Sequence, residues 1–105
     1  MPDFPEEFGD VLTETDTKTR LEKPKLFKVL LHNDNFTTME FVVFVLEHVF
    51  KKTSDEAFAI MIAVHEKGLG VAGVYPYEIA TSKADKTTNL ARAREFPLLC
   101  TVEPE

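Results

Sequence analysis

Two segments of this chain are apolar on nearly every side. Between Met39 and Phe50 only Glu40, Glu47 and His48 are polar, and between Ala57 and Val64 no residue is. A helix on the surface of a globular domain needs an apolar stripe of little more than roughly 100°. A chain with two helices as greasy as these must pack them on a sheet and still dispose of a surplus. Two outcomes are open: the helices bury the surplus against each other, or part of it lines a groove. The flexible, polarizable Met39 and Met61 favour the groove, because thioethers suit a pocket for varied apolar guests; as core filler they need no such role.

The punctuation around these segments sets the architecture. LFKVLLH, residues 26–32, reads as a strand that is apolar on both sides apart from Lys28. Thr37 and Glu40 have the spacing of a capping box, which predicts a helix from about Thr38 to about Lys51. Thr53 and Glu56 repeat the device for a second helix that stops at Gly68, after Lys67. GVAGVYPY is a strand punctuated by glycine and ended by Pro76. From Glu78 to about Glu95 a narrow stripe of Ala80, Ala84, Thr87 and Ala91 predicts a third helix. Pro97 stops it, and LLCTV makes the last strand. The order is β-α-α-β-α-β, an α+β fold of three helices on a small, three-stranded, mainly antiparallel sheet.

The 105 residues suit one domain with one modest core. That core begins at residue 26. Residues 1–25 hold three prolines, seven acids and four bases with no apolar period, so they read as a flexible N-terminal extension. Within it Phe4, Phe8, Val11 and Leu12 offer a partner something to hold in extended form. A net charge of −6 argues against a nucleic-acid phosphate backbone as partner. The single cysteine, Cys100, excludes an intrachain disulfide and a cysteine-based zinc site. The acidic start differs from a signal peptide and no apolar run reaches the length of a membrane span, so a cytoplasmic protein is expected.

The polar cluster His32, Asn33, Asp34 and Asn35 stands directly before the first greasy helix. It is either a plain turn and cap or half of a binding site. His65 follows the second apolar run and carries the same ambiguity. If the two helices pack together, the turn and His65 converge at one end of one groove. Amide oxygens, a carboxylate and an imidazole at the mouth of an apolar slot suit a cation attached to an apolar group.

LFKVLLHNDNFTTMEFVVFVLEHVF, IMIAVHEKGLGVAGVYPYEIATSK and FPLLCTVE together resemble the ClpS adaptors of the bacterial N-end rule, over roughly residues 24–105. The elements N-D-x-x-T-x-M-E-F-V, M-x-x-V-H and P-L-x-C-T carry the likeness jointly. The resemblance implies a monomeric adaptor, without enzymatic activity or cofactor. Such an adaptor binds substrates beginning with Leu, Phe, Tyr or Trp and delivers them to the ClpA unfoldase of the ClpAP protease. It also implies a fold similar to the C-terminal domain of a ribosomal stalk protein.

Carried over position by position, the resemblance assigns the peptide α-amino group to Asn33, Asn35 and His65, with Asp34 beside them. It assigns the side-chain pocket to Leu31, Thr37, Met39, Val42, Met61, Val64 and Leu98. Glu78 and Lys83 would contact the N-terminal domain of the chaperone, and residues 1–25 would be offered to the unfoldase. Two positions depart from the family pattern: Asn35 replaces an acid of N-D-D, and Thr38 replaces a proline. Rival classes are a stalk-like interaction module indifferent to the first residue, an enzyme with an Asp34–His65 dyad, and a metal site from His32, His48 and His65. The dyad lacks a nucleophile in a matching motif, and the three histidines lack a ligand spacing.

Overall fold

LFKVLLH forms the centre of the sheet. In the computed structural model, which describes residues 23–105, β1 (Leu26–His32) pairs antiparallel with both β2 (Leu69–Pro76) and β3 (Leu99–Pro104). Between the strands come α1 (Met39–His48), α2 (Ser54–Lys67) and α3 (Tyr77–Ala93), which gives the expected β-α-α-β-α-β order and three-stranded sheet. The extension expected over residues 1–25 lies almost wholly outside the described residues.

Alternation along β1 decides which side the helices cover. Val29 and Leu31 are fully buried and join the core, beside Ala72 of β2 and Cys100 and Val102 of β3. Leu30 points to the opposite face, level with Val71 and Thr101. On that face the His32 Nε2 lies 2.8 Å from the Thr101 hydroxyl. A register shift between Val29 and Leu30 lets the β2 pairing continue to His32 and Leu69.

The first helix starts one residue later than the Thr37–Glu40 spacing predicts. Its cap is Thr38, in extended backbone at φ −77°, whose hydroxyl accepts from the Phe41 amide at 3.1 Å. Thr37 is not free to cap, because its amide and hydroxyl are both bonded to Asp34. The helix also ends sooner than Lys51. Lys51 has a left-handed φ of 57°, and Lys83, from α3, donates from Nζ to the Val49 carbonyl at 2.8 Å. That ammonium also stands over the Tyr75 ring, 5.3 Å from its centre.

Both arms of the capping box on α2 are made. Glu56 N donates to the Thr53 hydroxyl at 3.1 Å, and Thr53 N donates to Glu56 Oε1 at 2.9 Å. Such caps contribute about 0.5–2 kcal/mol. Gly68 closes the helix in the left-handed region, at φ 91°. In α3 the stripe Ala80, Ala84, Thr87 and Ala91 is buried throughout, as the spacing predicts. Its helix stops at Ala93, two residues short of Glu95, which takes a φ of 63°.

Burial divides the apolar surplus of α1 and α2. Phe41, Val45, Leu46, Val49, Phe50 and Ala57 go into the core. Met39 and Phe58 remain 43% and 57% exposed at the seam between the two helices. The seam is concave, and it holds the site described next.

Candidate functional site

The rim of the seam is built by one carboxylate. Asp34 Oδ1 accepts from the amides of Phe36 and Thr37, each at 2.7 Å, and Oδ2 accepts from the Thr37 hydroxyl at 2.7 Å. These bonds fold residues 34–37 into a tight turn that leads the chain from the sheet onto the first turn of α1. Burial alone would raise the Asp34 pKa. The bonds from Thr37 and Phe36, with the Arg92 guanidinium, outweigh it and hold the carboxyl below the usual carboxylate range. The group stays ionised at neutral pH, and its first duty is to the loop.

With the turn fixed, the flanking amides are presented outward. Asn33 and Asn35 are both exposed. Among the hydrogen bonds of the described residues, none uses the side chains of Asn33, Asn35 or His65. Among the described residues their amide oxygens and an imidazole nitrogen are thus acceptors without a donor.

Below this rim lies a cavity of about 250 Å³ lined by Asn33, Asp34, Asn35, Thr37, Met39, Val42, Met61, Val64 and His65. Its polar members Asn33, Asn35 and His65 are exposed. Its apolar wall is firm, since Val42, Met61 and Val64 expose 6%, 6% and 3% of their surface. Val64 can sit there because Gly70 has no side chain: a Cβ would stand 2.8 Å from Val64 Cγ2. A cavity of roughly 150 Å³ lined by aliphatic and aromatic side chains already holds a benzene ring. This one has room for a benzyl-sized group and an attached cation.

Nine of the eleven residues expected at the amine and side-chain positions thus surround one cavity. The other two, Leu31 and Leu98, are buried at 0% and 1% in the core cluster that also holds Val42, Met61 and Val64, and do not line it. Glu78 is exposed in the first turn of α3. Lys83 is partly buried, its ammonium held by the Val49 carbonyl. The three histidines stand in different places: His32 against Thr101, His48 stacked on Phe44 at 4.3 Å, and His65 at the cavity. Burial, aided by the Asp85 charge, pushes the Cys100 thiol up to about 12, so it is a poor nucleophile.

Sequence reasoning missed a second concavity, an apolar groove of about 370 Å³ lined by Met39, Glu40, Val43, Phe58 and Met61. The available signal was Phe58, three residues before Met61 on one helical face. The plain turn that was one of the two alternatives for residues 32–35 is made by Asp34, and Asp followed by Thr three residues later is a turn pattern.

The family model described as "ATP-dependent Clp protease adaptor protein ClpS" matches residues 22–101. The ATP-dependent Clp protease adapter protein ClpS of Desulfatibacillum aliphaticivorans is 56% identical over 104 residues, which is 99% of this chain and 98% of that one. The protein of the same name from Myxococcus xanthus is 50% identical over 95 residues, 90% of this chain and 89% of its own. A solved structure, Agrobacterium tumefaciens ClpS2 bound to L-phenylalaninamide, is similar with a TM-score of 0.76 and 42% identity, covering 79% of this chain and all of that one.

Proposed function

Because this chain belongs to the ClpS family of ATP-dependent Clp protease adaptor proteins, we propose that its seam cavity binds the first residue of a substrate polypeptide. The side chain enters the apolar end, against Val42, Met61 and Val64. The free α-ammonium meets Asn33, Asn35 and His65, with the Asp34 charge beside it. The observation that carries this reading is the division of one cavity into a buried apolar wall and a rim of open acceptors. The relative bound to L-phenylalaninamide supports it, since that ligand is a phenylalanine with a free amine and an amidated carboxyl.

The energetics fit such a guest. An α-amino group with a pKa of about 7.7–8.0 is mostly protonated at neutral pH and offers three donors. Acetylation removes the charge and two donors and leaves rim acceptors unmatched. Burying a Leu or Phe side chain contributes roughly 1.5–3 kcal/mol. Together these favour micromolar binding, which suits an adaptor that must release its cargo. The cargo class is a protein beginning with Leu, Phe, Tyr or Trp.

Delivery to the ClpA unfoldase in the cytoplasm completes the proposal, with the adaptor acting as a monomer and residues 1–25 offered to the unfoldase. Exposed Glu78 is the more accessible of the two chaperone contacts. Lys83 acts from a fixed position, because its ammonium is tied to Val49.

Fluorescence anisotropy with labelled peptides tests the binding reading. Free Phe- or Leu-initiated peptides should bind far better than their acetylated forms, and equal curves would end it. Deleting residues 1–22 tests delivery separately. Peptide affinity should stay close to parental while ClpAP no longer degrades a Phe-initiated substrate; degradation at the parental rate would remove the extension from the mechanism.

A further inference from the structure

The groove of Met39, Glu40, Val43, Phe58 and Met61 shares two walls, Met39 and Met61, with the cavity beside it. From this we infer that the groove is a second subsite, which receives an apolar side chain at the third position of the bound polypeptide. The inference rests on the seam cavity taking the first residue. In an extended chain successive side chains point to opposite faces, so the first and third residues share a face, roughly 6–7 Å apart. A spacing of that order is what it takes to step over one methionine side chain. The second side chain points away, toward solvent.

The lining defines the chemistry. Phe58 is 57% exposed on α2 and Met39 is 43% exposed on α1, so a guest removes from water apolar surface that is otherwise wet. The methionines adapt to aliphatic and aromatic shapes alike. Glu40 is the one charged residue of the lining, and its carboxylate repels an acidic third residue. The subsite therefore favours Leu, Ile, Phe or Met, tolerates Ala poorly, and rejects Asp and Glu.

The test is a set of labelled heptapeptides read by anisotropy against the full chain. Phe-Ala-Leu should bind about three- to ten-fold tighter than Phe-Ala-Ala, the gain for partial burial of one aliphatic side chain, and Phe-Ala-Asp should bind weakest. In Phe58→Ala the advantage of Leu should fall to less than about two-fold by the same arithmetic, while preference for free over acetylated Phe-Ala-Ala stays parental. Equal binding of Phe-Ala-Leu and Phe-Ala-Ala to a parent that still rejects acetylated peptide overturns the subsite and leaves the first-residue reading intact. A gain for Phe-Leu-Ala in place of Phe-Ala-Leu overturns it too, by putting the second residue in the groove. Sedimentation that shows a parental dimer lost in Phe58→Ala gives the groove to a second copy and likewise overturns the subsite. Indifference to acetylation removes the first-residue reading, and the subsite with it.

Discussion

The backbone amide of Asn33 donates to the Gly68 carbonyl at 2.9 Å, one step beyond the last β1–β2 pair, His32 with Leu69. The amide of Gly68 in turn donates to the Val64 carbonyl at 3.0 Å. One peptide segment thus joins an acceptor of the rim to a wall residue of the cavity. This is why two stretches more than thirty residues apart meet at one end of the seam.

Gly68 is the joint in that chain of contacts. Its φ of 91° disfavours any side chain, although a Cβ there meets nothing within 4 Å. Gly68→Ala should therefore destabilise the fold by about 1 kcal/mol through the backbone alone. Urea denaturation should show a lower midpoint with an unchanged slope. A midpoint equal to the parent's would mean that the left-handed turn carries no strain.

Asp34 predicts a pH dependence. An unfolded Asp titrates near about 3.9, and the folded value lies below that. A depressed folded pKa contributes stability that is complete above the unfolded value and is lost as pH falls through the folded one. Glu56, held low first by the Thr53 amide, acts in the same direction. The melting temperature should stay level from about pH 7 to 5 and decline from about 5 to 3. Asp34→Asn should melt lower at neutral pH and decline less steeply. Circular dichroism at a series of pH values checks both; a parental slope in the variant would separate Asp34 from the effect.

Met39 lines the cavity and is 43% exposed. Met39→Ala should widen the cavity and admit first residues branched at Cβ, such as Val and Ile, because a shorter wall removes a steric filter. The gain is expected to be several-fold for Val-initiated peptides in anisotropy titrations. No improvement over the parent would show that the filter lies elsewhere.

Asn35 offers an amide where an acid would bring charge. Hydrogen bonds to charged groups contribute roughly 1.5–3 kcal/mol against about 1 for neutral pairs, and desolvation and screening take part of that back. Asn35→Asp should tighten a Phe-initiated peptide by about 1 kcal/mol, or several-fold. The gain should shrink as salt rises. Asp34 competes as the source of charge, but both its oxygens are engaged by Phe36 and Thr37. Isothermal titration at low and high salt decides; unchanged or weaker binding at low salt would turn Asn35 away from the ammonium.

Local patterns in the sequence were enough for much of this fold. The Thr53–Glu56 box, the apolar run of β1 on both of its sides and the Ala80–Ala91 stripe each depend on neighbours a few residues away, and each forms as read. The ends of α1 were harder to read. Thr37 and Thr38 are equally able to cap, and the choice fell to Thr38 because Asp34 had engaged Thr37. Its C-terminus depends on Lys83, which arrives from another helix. At the site, residue types announced an apolar slot with a polar mouth. They could not separate Leu31 and Leu98, in the core, from Met39 on the wall, because that depends on which side of the seam backs onto the sheet.

Met39 and Met61 are walls of two chambers at once. A guest that swings the Met39 thioether out of one chamber pushes it into the other, so volume gained on one side is surrendered on the other. Position-by-position preference scales assume that each residue of a ligand acts alone. For this surface the meaningful table is two-dimensional, with occupants of the two chambers as its rows and columns and a coupling energy in every cell.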